Sequence, residues 1–172
     1  MDEFTIKKIE DFLNRPKYIT NNYIWSKDEN NKYYKSTFIL NDNPNALIDF
    51  TFQGSIKSEG REIYPSANFL LRYSPAGSQS YLITRINIFS KHDHTNPFIP
   101  NCDVSLQRLK RGDIRIYKWE DFKLKYKYKP KAKDIGRSLD IQSFQNGLQY
   151  FLNYAKINAG IDLPPYEQLL LV

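Results

Sequence analysis

Runs that alternate apolar and polar side chains recur through the middle of the chain, and groups of turn-forming residues separate them. From Tyr81 to Phe89, Leu82, Thr84, Ile86 and Ile88 oppose Ile83, Arg85, Asn87 and Phe89; from Ala46 to Lys57, Leu47, Asp49, Thr51 and Gln53 oppose Ile48, Phe50, Phe52 and Gly54. A period of two places each set on one face of an extended strand. Further strands are expected at Tyr18 to Trp25, Tyr33 to Leu40, Asn68 to Tyr73, Val104 to Leu109 and Asp113 to Trp119. The turns are Asp28-Glu29-Asn30-Asn31, Asn41-Asp42-Asn43-Pro44-Asn45, Ser58-Glu59-Gly60-Arg61, Ser74-Pro75-Ala76-Gly77-Ser78 and Lys110-Arg111-Gly112. Asn and Asp tolerate left-handed backbone, Gly favours it and Pro fixes its own φ, so such clusters between strands read as hairpins.

Helical spacing appears only at the two ends. Ile6, Ile9 and Leu13, with Phe12 beside them, predict an amphipathic helix over Phe4 to Leu13 that Asp2 or Thr5 caps and Pro16 ends. Ile141, Phe144, Leu148, Phe151, Leu152 and Ala155 line one side of a closing helix capped by Ser138 or Asp140. The expectation is one α+β domain over residues 1–172: a mostly antiparallel twisted sheet of six to eight strands flanked by an N-terminal and a C-terminal helix. Aromatics at 15% and hydrophobic residues at 41% supply a core and exclude a disordered chain. The tail Leu169-Leu170-Leu171-Val172 is apolar enough to dock on the body or to act as a homo-oligomer contact.

Charge is the second constraint. The net charge of +6 is unevenly spread: residues 108–137 carry +8 and the remainder −2. Phe122 to Lys133 sets lysines 123, 125, 127, 129, 131 and 133 against Leu124, Tyr126, Tyr128, Pro130 and Ala132. As a strand it would place every ammonium group on one side, roughly 6.5–7 Å apart, close to the spacing of phosphates in an extended single strand. The same lysines would equally protect an edge strand from pairing with another molecule. The binding set expected for a polyanion, either nucleic acid or an acidic nucleoprotein surface, is Arg108, Lys110, Arg111, Arg115, Lys118, Lys123, Lys125, Lys127, Lys129, Lys131 and Lys133. A membrane partner is not expected, because no apolar run approaches the length of a spanning helix. The acidic, broken N-terminus does not resemble a signal peptide, and a single cysteine, Cys102, suits a reducing cytoplasm.

The only histidines are His92 and His94, separated by Asp93. They could act as general acid and base in a ribonuclease or toxin-like hydrolase, with Arg85 or Lys91 stabilising charge in the transition state. No third histidine or second cysteine exists to complete a zinc site, so no metal and no cofactor are expected. Phosphate-loop, dinucleotide-fold and serine-hydrolase glycine motifs are absent from the sequence.

Tyr81-Leu82-Ile83-Thr84-Arg85-Ile86-Asn87-Ile88, then His94-Thr95-Asn96-Pro97, then Phe151-Leu152-Asn153-Tyr154, resembles an uncharacterised family of small bacterial proteins. That family carries a Leu-Leu-Arg-Leu-Asp strand, His-x-Asn-Pro-Asp-Gly, a strand with His-x-His and a Phe-Leu-x-Tyr-like helix end. Phe98-Ile99 stand here in place of Asp-Gly, and Ser105-Leu106-Gln107 in place of His-x-His. The resemblance implies a bacterial or phage origin and a sheet-plus-helix fold, and carries no reaction with it. The leading functional expectation is a small basic non-enzymatic protein that contacts nucleic acid or a nucleoprotein, such as an inhibitor of a nucleic-acid-guided defence complex. The alternatives are the histidine-dependent hydrolase and a purely structural, oligomerising protein.

Overall fold

The computed structural model describes residues 2–20, 22, 24–27, 33–41, 50–57, 66–73, 81–128, 131 and 133–158. The chain runs through α1 (Glu3–Asn14), β1 (Tyr18–Ile19), β2 (Ser26–Lys27), β3 (Tyr33–Asn41), β4 (Phe50–Lys57), β5 (Ala67–Tyr73) and β6 (Tyr81–Ile88). It continues through β7 (His94–Thr95), β8 (Arg108–Leu109), β9 (Ile114–Tyr117), α2 (Trp119–Tyr128), β10 (Arg137–Leu139) and α3 (Phe144–Tyr154). Eight strands form one sheet in the order β1-β3-β4-β5-β6-β9-β10, with β2 beside β1 along β3, and every ladder is antiparallel. β7 and β8 make a separate two-stranded ribbon. The fold is α+β, as the patterning implies.

Alternation decides which face is dry. Ala67, Phe69, Leu71 and Tyr73 of β5 are buried, and Ile86 and Ile88 of β6 lie opposite Phe69 and Ala67. Ile116 of β9 pairs with Ile86 and extends the same surface. Phe144, Leu148, Phe151 and Leu152 of α3, with Ile9 and Phe12 of α1, complete this core. Each such side chain contributes roughly 1.5–3 kcal/mol through the surface it removes from water. Gly147 lets α3 approach closely, since a Cβ there would stand 3.2 Å from Ile114 Cδ1.

Helices α1 and α3 are tied together by a lysine. Lys17 is fully buried, and its ammonium group donates to the carbonyls of Leu13, Arg15 and Ala155 at 3.3, 2.8 and 2.6 Å. Those oxygens sit at the ends of α1 and α3, where carbonyls lack helical partners. Lys17 also forms a parallel bridge with Ile157, and Asn158 N–H donates to its carbonyl. Asp2 caps α1 by accepting from Thr5 N–H at 2.7 Å.

Several sequence expectations are corrected. The stretch from Trp119 through Tyr128 is helix rather than strand. Trp119, Phe122 and Tyr126 recur at helical spacing and pack into the core, and Glu120 and Asp121 stand in the first turn with lysines in the last, matching the helix dipole. The N-terminus of α2 is held by Tyr154, whose hydroxyl accepts from Trp119 N–H and donates to Glu120 Oε2, both at 3.0 Å. α3 begins later than expected, capped by Ser143 through Asn146 N–H, because Arg137–Leu139 first pairs with β9 as the edge strand. Of the expected Tyr18 to Trp25 strand, Tyr18–Ile19 pairs with β3 among the described residues, and Ser26–Lys27 just beyond it makes a second short pair there; β8 and β9 are not a hairpin, since β8 pairs with β7 and β9 with β6 and β10. The turns at 28–31, 42–45, 58–61 and 74–78, and the tail Leu169 to Val172, lie outside the described residues.

Candidate functional site

The helical geometry of α2 disperses the lysine row. Lys123 is ion-paired to Glu10 of α1, Lys125 is buried against Asp134, and Lys127 lies over the ring of Tyr128 at 5.1 Å. Lys123 and Lys127 rim a groove of about 410 Å³ whose walls include Ile6, Leu124 and Tyr126. Lys131 and Lys133 are exposed beyond the helix, and Lys129 lies outside the described residues. The continuous ridge expected from alternation is therefore not formed, for the plain reason that 100° per residue spreads positions two apart around the helix axis.

The other bases have divided roles. Arg108 pairs with Asp93 at 2.9 Å and is well exposed. Lys110 and Arg111 are exposed in the turn where Gly112 adopts φ 89°. Lys118 lies over the Tyr154 ring at 5.6 Å. Arg115 is buried, and its Nη2 donates to the His92 carbonyl at 2.7 Å and to that of Lys110. It fastens the 90–112 connection to the sheet rather than offering charge to a partner. Asp93 accepts from Arg108 and from Arg111 N–H, and these bonds hold its carboxyl below the usual carboxylate range.

Distant elements converge on Asp134. Its Oδ1 accepts from Lys125 Nζ at 2.7 Å, its Oδ2 faces Arg85 Nη2 at 3.3 Å, and its backbone carbonyl accepts from His94 Nε2 at 2.9 Å. The Arg85 guanidinium lies 4.0 Å above the ring of Tyr117, and the His94 ring meets the same tyrosine edge-on at 6.3 Å. Arg85 thus has the carboxylate partner that a half-buried guanidinium on a central strand requires. Since a carbonyl only accepts, the His94 proton resides on Nε2 and Nδ1 is left as the basic nitrogen. Burial pushes the His94 pKa down, keeping the ring neutral.

Asn96 locks this cluster in place. Its Oδ1 accepts from Gly136 N–H at 2.9 Å, and its Nδ2 donates to the carbonyls of Gly136 and Val104, both at 2.8 Å. Gly136 is the residue that fits here, because a Cβ would come within 2.9 Å of Leu109 Cδ1 and 3.1 Å of the Tyr117 ring. His92, by contrast, has an exposed ring, and its described hydrogen bonds run through its backbone carbonyl. The structure does not give the two histidines equivalent surroundings.

A second network lies beside the first. Arg137 Nε and Nη2 each donate to buried Asp121 at 2.7 Å, and Nη1 and Nη2 reach exposed Asp103 at 3.0 and 2.7 Å. The buried Cys102 thiol faces Asp121 Oδ1 at 3.8 Å. Ligand atoms of Cys102, Asp103 and Asp121 lie within 4.8 Å of one another, but Arg137 already occupies both carboxylates. These contacts brace β10 and the 99–105 turns against α2.

Protein-family models, curated proteins and solved structures offer no match to this chain.

Function must therefore be read from its own side chains. Sequence reasoning singled out His94, Arg85 and Lys125 but not the residues that unite them, Asp134, Asn96 and Tyr117. It also passed over Arg72, which shares a face of the sheet with Arg85. The burial of β5 alternates, leaving Asn68, Leu70 and Arg72 on the side away from the core, and the pairing sets Leu70 against Arg85 and Asn68 against Asn87. Arg115 and Tyr117 continue that side on β9, opposite Asn87 and Arg85.

Proposed function

We propose that the protein is a small basic non-enzymatic binding protein, of bacterial or phage origin, that contacts nucleic acid or a nucleoprotein complex. Inhibition of a nucleic-acid-guided defence complex in the cytoplasm is the role that suits a chain of this size and charge. The supporting observation is the basic charge that reaches solvent: Lys110 and Arg111 in the turn before β9, Lys127 at the end of α2, and Lys131 and Lys133 beyond it are all exposed. Lys127 also complements the helix C-terminus, a purely local role that Lys110, Lys131 and Lys133 do not share. If these five side chains each neutralised one phosphate of a single strand, affinity would fall on the order of 10²-fold between 50 and 200 mM salt. Fluorescence anisotropy with labelled single- and double-stranded DNA and RNA at two salt concentrations tests this. The expected result is salt-dependent binding weakened by the triple replacement Lys127→Glu, Lys131→Glu, Lys133→Glu; absence of any salt-dependent binding refutes it.

A second reading has its own observation. His94 is neutral, presents Nδ1 as a base and shares Tyr117 and Asp134 with Arg85, an arrangement suited to general-base hydrolysis of a phosphodiester. RNA cleavage lost in His94→Ala and kept in His92→Ala supports it, while cleavage undiminished in the double variant removes it.

A further inference from the structure

We propose that the half-covered side of the sheet between Arg72 of β5 and Arg85 of β6 is a binding site for a phosphate group. The inference deepens the nucleic-acid reading by naming where one phosphate of the partner is held. Its starting point is a set of buried polar atoms without hydrogen-bond partners among the described residues: Arg72 Nε, Arg85 Nε, Asn87 Oδ1 and Arg115 Nε. Buried polar atoms are paired in the great majority of cases, so each exception calls for a reason, and an unrecorded ligand is one of the standard ones. These four belong to contiguous positions on three neighbouring strands and share one face, as the register Asn87 with Arg115 and Leu70 with Arg85 requires.

The charge on that face is unbalanced. Arg85 and Lys125 share the single carboxylate of Asp134, while Arg72 and Arg115 add two further guanidinium groups. Among the described residues, Asp134 is the carboxylate ion-paired to this group. Arg115 lies too deep to be touched, but the Arg85 side chain is 26% exposed and Arg72 is half-buried. Both side chains reach solvent, although their Nε atoms are themselves covered.

Geometry favours a tetrahedral dianion over a monovalent ion. Arg72 pairs with Leu82 and Arg85 with Leu70, so the two arginines stand diagonally across adjacent strands, within reach of one another's long side chains. A guanidinium fork on each can offer parallel N–H groups to separate oxygens of one phosphate. Asn87, next along β6, adds an amide that can turn its NH₂ toward the same ligand. Tyr117 fixes the Arg85 guanidinium plane from below, so part of the ordering cost is met before the ligand arrives.

The full-length protein is titrated with inorganic phosphate against chloride at matched ionic strength, followed by calorimetry and by the melting temperature. Saturable binding and a rising melting temperature are expected for the wild type and for the distant surface variant Lys7→Glu. Arg85→Gln and Arg72→Gln should each weaken phosphate about tenfold or more, and Arg85→Lys by less. Should Arg85→Gln fail to fold, the half-buried Arg72→Gln carries the comparison. A wild type whose melting temperature does not respond to phosphate overturns the site, and so does unchanged affinity in Arg72→Gln. The two proposals separate cleanly: phosphate binding without nucleic-acid binding keeps this site and removes the nucleic-acid partner. Nucleic-acid binding that is indifferent to both arginines keeps that partner and removes this site.

Discussion

Replacing Asp121 by asparagine removes one charge from a site where the structure leaves it almost no access to water. Asp121 accepts two hydrogen bonds at 2.7 Å from Arg137, and its side chain is 2% exposed. Asparagine keeps one acceptor but turns the other position into a donor facing a guanidinium. Charge-assisted hydrogen bonds contribute about 1.5–3 kcal/mol each, and removing one partner of a buried pair costs about 3–5 kcal/mol. Arg137 retains Asp103 and is 28% exposed, so water and that second carboxylate recover part of the loss. The expected cost is about 2–4 kcal/mol, or roughly 5–15 °C in melting temperature for a chain of this size. Urea titration followed by tryptophan fluorescence gives the free energy directly, with Asp103→Asn as the comparison. Asp103 is 72% exposed, and its replacement should be far milder. Equal effects of the two substitutions would refute the premise that burial, rather than mere contact with Arg137, sets the energy. The paired replacement Asp121→Leu with Arg137→Met should recover much of the single variant's loss, because no charge is then stranded.

Lys17→Met would leave the carbonyls of Leu13, Arg15 and Ala155 without this donor and should cost about 2–4 kcal/mol in a urea titration. Leu106 is 63% exposed and sits at φ 62°, so Leu106→Asn should raise stability by about 0.5–1 kcal/mol, read as a higher urea midpoint. His94 has a depressed pKa, so below the ordinary imidazole pKa of about 6.5 the unfolded chain binds a proton that the folded one resists. Its contribution is present in full above that pH and is lost as pH falls through the folded value; His94→Gln should flatten this slope in melts recorded across the range.

The sheet was legible because burial on one face writes itself into every second residue. β5 and β6 appear almost where alternation puts them, and Arg85 acquires the carboxylate that its position demanded. α2 was misread because its lysines alternate while the residues that decide its conformation, Trp119, Phe122 and Tyr126, recur at three and four. That weaker apolar signal was present in the sequence and was masked by the charges. The cluster around Asp134 could not be seen in advance: Lys125 looks like surface charge until a helix turns it inward, and its partner arrives nine residues later across an irregular connection. Asn96 likewise reveals its role only through contacts with Gly136 and Val104, one of them forty residues away.

The lysine that staples α1 to α3 also sets a timetable for synthesis. A nascent polypeptide exposes Lys17 early, yet one of its three oxygen partners, and the strand-like neighbour Ile157, are made some 138 to 140 residues afterwards. Until they emerge, α1 has no neighbouring helix end to share that ammonium group, and the charge stays hydrated. A segment translated early is thus locked late, and a ribosome-stalling series should find it accessible to protease until Ile157 has cleared the exit tunnel.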